Sequence, residues 1–268
     1  MVEGARLESV YTPKGYRGFE SLPLCKLLFL MSSKPFQFKQ FTIHQDKTAM
    51  KVGTDGVLLG AWVSIESDYF SAIDIGAGTG LIALMIAQRS NIELIDAIEL
   101  NDEAFEQSVS NFEQSDWSDR LFCYHASFQE FTDEIDDTYD LIVSNPPFYT
   151  STYKELSEDR AMARHSESLP YSELLSGVVK MLSDKGSCAF IIPFCEEEEF
   201  IAEAKELKLF PNRITRVKGA KDTPIKRSLL QFSYVNSEIE FTDLVIEIER
   251  HIYTEDYKNL VQDFYLKM

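Results

Sequence analysis

The chain has 268 residues, of which 44% are hydrophobic and 12% aromatic, so it can bury a substantial core in one large or two small domains. Its formal net charge of −18 argues against nucleic-acid binding through the whole surface, because Lys and Arg supply most of the affinity for phosphates. A local basic patch is still compatible with this charge.

The four cysteines and four histidines are scattered without CxxC spacing, so neither a disulfide framework nor a metal site is predicted. The apolar run at 22–31 is interrupted by Lys26 and follows no basic region, which argues against a signal peptide or membrane span. We therefore expect a cytoplasmic protein, with a monomer as the default state. An ordered pattern begins only after Met31, so we predict an extension outside the fold at 1–30, an N-terminal segment at 31–70 and the main domain at 71–268.

The N-terminal segment combines a strand-like and a helix-like pattern. Residues 36–44 alternate as a strand or hairpin would, and residues 52–62 form a short apolar helix pattern. Thr54 or Asp55 stands where a side-chain cap of that helix is expected, and from spacing alone capping is the favoured role of both residues.

A glycine-rich loop follows the first buried strand of the main domain. The run Ala72-Ile-Asp-Ile-Gly-Ala-Gly-Thr-Gly80 precedes a helical pattern at 81–89, which is typical of the first half of a nucleotide-binding βαβ unit. The next strand, 94–98, ends in Glu99, about where such folds place a carboxylate that accepts hydrogen bonds from ribose hydroxyls.

The spacing of the glycines favours one nucleotide over another. It is GxGxG, not the GxGxxG with which NAD-binding folds turn a helix N-terminus toward a pyrophosphate. Asp74 would repel a diphosphate but could hold an ammonium group, directly or through water. The pattern therefore favours S-adenosylmethionine, with a different nucleotide or an unliganded turn as the alternatives.

Strands continue to alternate with helices as far as residue 208, which predicts an α/β fold with ligands at the carboxyl ends of the strands. We expect a mostly parallel, seven-stranded Rossmann-like sheet with helices on both faces. The acidic cluster at 196–199 opens a predicted helix, where acids favour the macrodipole, so it is interpreted as structural. The tail at 254–268 is predicted to be an amphipathic packing helix.

The strand at 139–143 stops at Ser144-Asn145-Pro146-Pro147-Phe148, a rigid turn because proline fixes φ and cannot donate to a sheet. The Asn145 side-chain oxygen and the Pro146 carbonyl are acceptors, and the Phe148 ring offers a face for stacking. Such a turn suits a planar ring with an exocyclic amino group, although an ordinary strand exit is equally compatible with the motif alone.

Residues 210–228 are positively charged in a chain that is otherwise acidic. They contain one acid, Asp222, and six cations: Arg213, Arg216, Lys218, Lys221, Lys226 and Arg227. A solvated loop and a phosphate-contacting surface are both consistent with this run.

Together these motifs resemble those of Rossmann-like S-adenosylmethionine-dependent methyltransferases. The runs 36–44 and 50–62, with the glycine loop, Asn-Pro-Pro-Phe and Ala163-Arg164-His165, more closely resemble the bacterial tRNA1(Val) adenine-37 N6-methyltransferase family. That resemblance implies cofactor contacts from the glycine loop and from Thr54 and Asp55. It also implies amine recognition by Asn145, with Pro146 and Phe148 beside it. The full set of implied cofactor residues is Thr54, Asp55, Asp74, Gly76, Gly78, Gly80, Glu99 and Asn145, with Ser127 a candidate for the adenine pocket.

The expected reaction is methyl transfer to the N6 of an adenine in tRNA. The chain has no room for a DNA-reading domain, so we expect recognition of a folded RNA through phosphates and an exposed base. Contacts are predicted from Arg164, His165, Arg213, Lys218, Lys221, Lys226 and Arg227. A methyltransferase acting on rRNA guanine or protein glutamine, and a non-catalytic binding module, are the alternatives.

Overall fold

A computed structural model describes residues 34–48, 50–146 and 169–268, and these described residues belong to one compact unit. The predicted roles of Phe148, Arg164 and His165, and the predicted extension at 1–30, lie outside the described residues.

The described residues contain eleven strands and seven α-helices. The strands are β1 Phe36–Gln37, β2 Thr42–Ile43, β3 Ser71–Ile75, β4 Leu94–Glu99, β5 Leu121–His125, β6 Tyr139–Ser144, β7 Leu182–Pro193, β8 Phe210–Ala220, β9 Ile225–Ser233, β10 Glu240–Glu249 and β11 Ile252–Tyr253. The helices are α1 Thr54–Trp62, α2 Leu81–Arg89, α3 Asp102–Glu113, α4 Phe128–Glu134, α5 Tyr171–Met181, α6 Glu197–Glu206 and α7 Glu255–Val261, and a 3-10 turn, Phe194–Glu196, precedes α6.

Nine of these strands form one sheet in the order β11-β10-β8-β9-β7-β6-β3-β4-β5. Strands β5, β4, β3, β6 and β7 run parallel, and β9 lies antiparallel between β7 and β8. The Rossmann-like architecture is thus as predicted, but the sheet has nine strands and not seven. Strand β10 was not predicted, because it carries four acids and buries only Leu244, next to the two-residue edge strand β11.

Helices cover both faces of the sheet. One apolar cluster joins it to α1, α2, α3 and α7, and a second joins it to α4, α5 and α6. Strand β3 contributes residues to both clusters, because alternate residues of a strand point to opposite faces of the sheet. Ala72 packs in the first cluster, and Ile73 and Ile75 pack in the second. The short hairpin β1–β2 adds Phe38, Phe41 and Ile43 to the first cluster, so the N-terminal strand pattern contributes to the core.

Two local predictions are corrected by the structure, and one helix was missed. The N-cap of α1 is Gly53, with no side-chain cap bond, so Thr54 and Asp55 are the first helical residues instead of caps. The predicted tail helix is short, because α7 ends at Val261 and turns follow it. Helix α4 was not predicted, although Ser127 and Glu130 form a capping box, for which S-x-x-E is the sequence signature.

The carboxyl ends of the parallel strands lie along one edge of the sheet. The register pairs Ile75 of β3 with Ile98 on one side and Ser144 on the other. The β8–β9 turn lies at the same edge, because antiparallel β9 begins where β7 ends and pairs Arg227 with Pro193. The glycine loop, the turn at Asn145 and part of the basic segment 210–228 therefore lie at the carboxyl ends of the parallel strands.

Candidate active site

A cavity of about 440 Å³ opens at this carboxyl edge. Its volume falls within the range of sites that bind small molecules and cofactors. The residues lining it come from the ends of β3, β4 and β6, from the loops and first helical turns that follow β4 and β5, from the segment before α1, and from the residue Leu169 before α5. They are Thr48, Met50, Ile75, Gly76, Gly78, Ile98, Glu99, Leu100, Asn101, Glu103, Ala104, Ala126, Ser127, Phe128, Gln129, Ser144, Asn145, Pro146 and Leu169.

The glycine loop forms one wall of the cavity. Gly76, Gly78 and Gly80 all have positive φ, at 74°, 59° and 77°, a conformation that other residues adopt only with strain. A Cβ added to Gly76 or Gly78 would meet no atom within 4 Å, because both residues face open space in the cavity. These two positions therefore leave room for a ligand to approach the backbone closely.

Gly80 has a different role from the other two glycines. It is the N-cap of α2 and does not line the described part of the cavity. A Cβ at Gly80 would lie 2.4 Å from the Phe112 ring and 2.7 Å from the Ser108 hydroxyl, both on α3. Gly80 thus permits close packing of α3 against the start of α2.

We expect Gly80→Ala to lower the free energy of unfolding by roughly 2 to 4 kcal/mol, because it adds a steric clash to an unfavourable φ. Gly78→Ala is the matched control, with a similar positive φ but open space around the new methyl group. Urea unfolding of both variants measures the difference, and equal losses would contradict the packing role of Gly80.

Glu99 is held in the cavity wall by two backbone groups. One carboxylate oxygen accepts the N–H of Gly78 at 2.7 Å, and the other accepts the N–H of Asn101 at 2.9 Å. Because a carboxylate oxygen can accept more than one hydrogen bond, each oxygen retains capacity for a ligand hydroxyl. The carboxylate therefore also fixes the glycine loop against the loop after β4.

Asp74 lies buried beneath the glycine loop, 1% exposed, and is not among the described residues that line the cavity. Its Oδ2 accepts the Ala83 N–H in the first turn of α2 at 3.3 Å, while Oδ1 has no partner among the described residues. Burial raises the pKa of Asp74 to about 7; the bond from Ala83 lowers it and the charge of Glu99 raises it. The structure thus gives Asp74 a supporting position behind the loop.

Asn145 and Pro146 form the part of the cavity wall that follows β6. The Ser144 hydroxyl donates to the Ile75 carbonyl at 2.8 Å, which ties the end of β6 to the end of β3. The Asn145 Oδ1 is buried and has no hydrogen-bond partner among the described residues. Since buried polar atoms are nearly always paired, an acceptor without a partner marks Asn145 as a candidate binding residue.

Ser127 lies in the cavity wall, but its hydroxyl is occupied locally. It donates to Glu130 at 2.8 Å and accepts the Glu130 N–H at 3.2 Å, as the N-cap of α4. Thr54 and Asp55, in contrast, are not among the described lining residues, and Asp55 pairs with Arg227 at 2.8 Å.

The basic segment divides into internal and outward-facing cations. Arg213 donates to the Trp62 carbonyl at 2.8 Å and lies 4.5 Å over the Trp62 ring, while Arg216 pairs at 2.6 Å with the buried Glu197. This ion pair supports the structural interpretation of the acidic cluster. Arg227 is held by Asp55. The remaining cations, Lys218, Lys221 and Lys226, lie at the β8–β9 turn, and Lys221 and Lys226 are exposed.

Several lining residues were not predicted from the sequence. Thr48 and Met50 precede α1, and Asn101 begins α3, where its side chain accepts the Ala104 N–H at 3.0 Å. The capping signal at Asn101 is readable in the sequence, since Asn is a favoured N-cap. No local signal identifies Thr48 or Met50, because they reach the cavity through contacts between distant parts of the chain.

None of the helices in the described ranges combines the length and apolar character needed to cross a bilayer. Within those ranges, no group of three or more His, Cys, Asp or Glu side chains is placed to hold a metal ion.

Known proteins resemble this chain in sequence and in fold. Residues 59–170 match the Methyltransferase small domain family. A tRNA1(Val) (adenine(37)-N6)-methyltransferase from Christiangramia forsetii is 58% identical over 240 residues, covering 89% of this chain and all of the relative. One of the same name from Trichodesmium erythraeum is 44% identical over 239 residues, covering 88% of this chain and all of that protein.

Among solved structures, a predicted O-methyltransferase from Agrobacterium tumefaciens aligns with a TM-score of 0.61 at 18% identity, covering 78% of this chain and 96% of that one. This likeness supports the fold. The identities and coverage of the sequence relatives go further and establish the family: the chain belongs to the tRNA1(Val) (adenine(37)-N6)-methyltransferases.

Proposed function

We propose that this protein transfers a methyl group from S-adenosylmethionine to the exocyclic N6 of an adenine in tRNA. The observation that carries the proposal is the unpaired Asn145 Oδ1 in the wall of a cavity that also contains Glu99 and the glycine loop. The relatives are named for adenine 37 of tRNA1(Val), and we propose the same nucleotide here.

The residues of the cavity fit S-adenosylmethionine. Open space at Gly76 and Gly78 allows a ligand to approach the backbone, and Glu99 presents oxygens that suit a ribose diol. The buried carboxyl of Asp74 and the carboxylate of Glu99 disfavour a diphosphate such as that of NAD. When bound, the donor would supply a methyl group already activated by a sulfonium.

The chain's part in the reaction is to hold and orient the amine. The N6 lone pair of adenine is delocalised into the ring, so acceptors on its N–H bonds favour the tetrahedral nitrogen that attacks. We assign these acceptors to Asn145 Oδ1 and the Pro146 carbonyl, which follow directly on a buried strand. Because the sheet is rigid, an amine bound at its end would be held in line with the methyl group of the donor. Stacking of the base on Phe148 stays a prediction.

We propose that the RNA lies over the β8–β9 turn. Lys218, Lys221 and Lys226 lie there, at the carboxyl edge of the sheet onto which the cavity opens. We leave Arg213 and Arg216 out of this surface because each is bound to other protein groups, and Arg227 can contribute only from its pair with Asp55. Phosphate contacts from Arg164 and His165, a monomeric state and a cytoplasmic location stay predictions.

Charge reversal at Lys221 and Lys226 should raise the KM for tRNA by about tenfold, because repulsion replaces attraction to phosphate. The salt dependence should also flatten, since each lost phosphate contact removes roughly 0.7 to 0.9 from its slope. Steady-state kinetics at several salt concentrations test this. Lys185→Glu is the matched control, exposed near the start of β7 at the opposite edge of the sheet. An unchanged KM in the double variant would show that the turn is a solvated loop that does not contact the RNA.

The proposed activity is tested by supplying the protein with radiolabelled S-adenosylmethionine and, separately, total tRNA, rRNA and a release factor. We expect label in tRNA alone. Label confined to protein or rRNA would support the alternative glutamine or guanine methyltransferases. Absence of donor binding in calorimetry would exclude any methyltransferase, and donor binding without label in any of the three substrates would support the non-catalytic binding module.

A further inference from the structure

A segment without regular secondary structure covers part of the cavity. It joins β2 to α1, and we call its described residues, 44–48 and 50–52, the N-terminal cover. Thr48 and Met50 of this cover line the cavity, and Gln45 and Thr48 are buried. The cover thus adds a wall that the sheet itself does not provide.

Buried amide side chains hold the backbone of the cover. The His44 N–H donates to Asn111 Oδ1 at 2.9 Å, and the Lys47 N–H donates to Gln107 Oε1 at 3.0 Å. The Val52 N–H donates to Gln45 Oε1 at 2.9 Å. Buried loop backbone must find partners, and here side chains supply what a helix or strand would otherwise provide. These three bonds specify one conformation of the cover.

Asn111 differs from the other two amides because it also contacts the glycine loop. Its Nδ2 donates to the His44 carbonyl and to the Thr79 carbonyl, each at 2.9 Å. The side chain is 1% exposed, so water does not replace these bonds. One planar amide therefore joins the cover to the loop that carries Gly76 and Gly78.

We propose that Asn111 is a positioning residue that couples the N-terminal cover to the glycine loop, so that the methyl donor is held between them. The inference rests on the donor site of the proposed function. The loop supplies one wall of the cavity and Thr48 with Met50 another, and Asn111 fixes the separation of the two walls. No atom of Asn111 lines the described cavity, so its effect is transmitted through the His44 and Thr79 backbone.

The direct test is Asn111→Asp. The variant keeps the acceptor for the His44 N–H but turns a carboxylate oxygen toward two carbonyls, which repel it and lose their donors. We expect the Kd for S-adenosylmethionine, measured by calorimetry, to rise at least about tenfold. The kcat at saturating donor should stay within about threefold, because Asn145 and Pro146 are untouched. A general loss of structure would lower kcat as well.

Gln114→Glu is the matched control. It makes the same change of amide to carboxylate at the end of the same helix, but Gln114 is exposed and, among the described residues, its side chain bonds only Ser110. Its Kd and kcat should match those of the unmodified protein. An Asn111→Asp variant that folds and binds the donor as tightly as Gln114→Glu would overturn the proposal.

Hydrogen exchange of the unmodified protein decides the matter if Asn111→Asp does not fold. Donor binding should slow exchange of the His44, Lys47 and Val52 amides by about tenfold or more, together with the amides of the glycine loop. Protection of the glycine loop with no change in the cover would overturn the coupling while leaving the donor site intact. Absence of any donor binding by the unmodified protein would instead contradict the proposed function itself.

Discussion

Replacing Asn145 by alanine is expected to lower kcat for tRNA methylation by at least roughly 100-fold while the Kd for S-adenosylmethionine stays within about threefold. The substitution removes the buried Oδ1 to which we assign the polarisation of the target amine, and no described protein group loses a partner, because that oxygen has none. The fold should therefore survive. Single-turnover kinetics with saturating donor measure the chemical step, and calorimetry measures donor binding.

Asn145→Asp is the conservative variant for this experiment. It keeps an acceptor oxygen at the same position, so we expect it to recover part of the activity that alanine loses. Equal losses of donor affinity and turnover in the alanine variant would contradict the assignment of Asn145 to the amine.

Replacing Glu99 by glutamine should have the reverse effect, weakening donor binding while turnover is largely retained. The carboxylate accepts the backbone N–H of both Gly78 and Asn101, but a glutamine amide has only one oxygen and turns its own N–H toward the other group. The glycine loop and the loop after β4 therefore lose the acceptor that they share. In the proposed donor complex the ribose diol also loses a charged partner, so two charge-assisted bonds of about 1.5 to 3 kcal/mol each are weakened. We expect the Kd for the donor to rise about 100-fold, as measured by calorimetry, with kcat at saturating donor largely retained.

Glu113→Gln is the matched control for Glu99. It removes one negative charge from an exposed position at the end of α3, and it should leave the donor Kd unchanged. If Glu99→Gln also binds the donor normally, the carboxylate does not hold the ribose and only orders the two loops.

The central strands and the site at their ends were predictable because their signals are local. Helix α2 has the predicted bounds, 81–89, since its buried apolar run directly follows the glycine-rich loop. Glu99, Gly76, Gly78 and Asn145 reach one cavity because parallel strands bring their carboxyl ends to one edge.

The roles of the cations were not predictable from their number. Arg216 pairs with Glu197, and Arg227 pairs with Asp55, which lies 172 residues away in the sequence. A local excess of positive charge gives no sign of acids contributed by other elements, so the sequence did not separate the paired arginines from the three lysines of the turn. The N-terminal cover was missed for the same reason, since Asn111 and Gln107 contact it across about sixty residues of chain.

The most direct test of adenine methylation is nucleoside mass spectrometry of tRNA from a strain that lacks the gene for this protein. We expect N6-methyladenosine to be missing from position 37 of one valine tRNA, to return when the unmodified protein is supplied, and to stay missing with Asn145→Ala. Unchanged N6-methyladenosine in the deletion strain, or full restoration by Asn145→Ala, would contradict the proposed reaction.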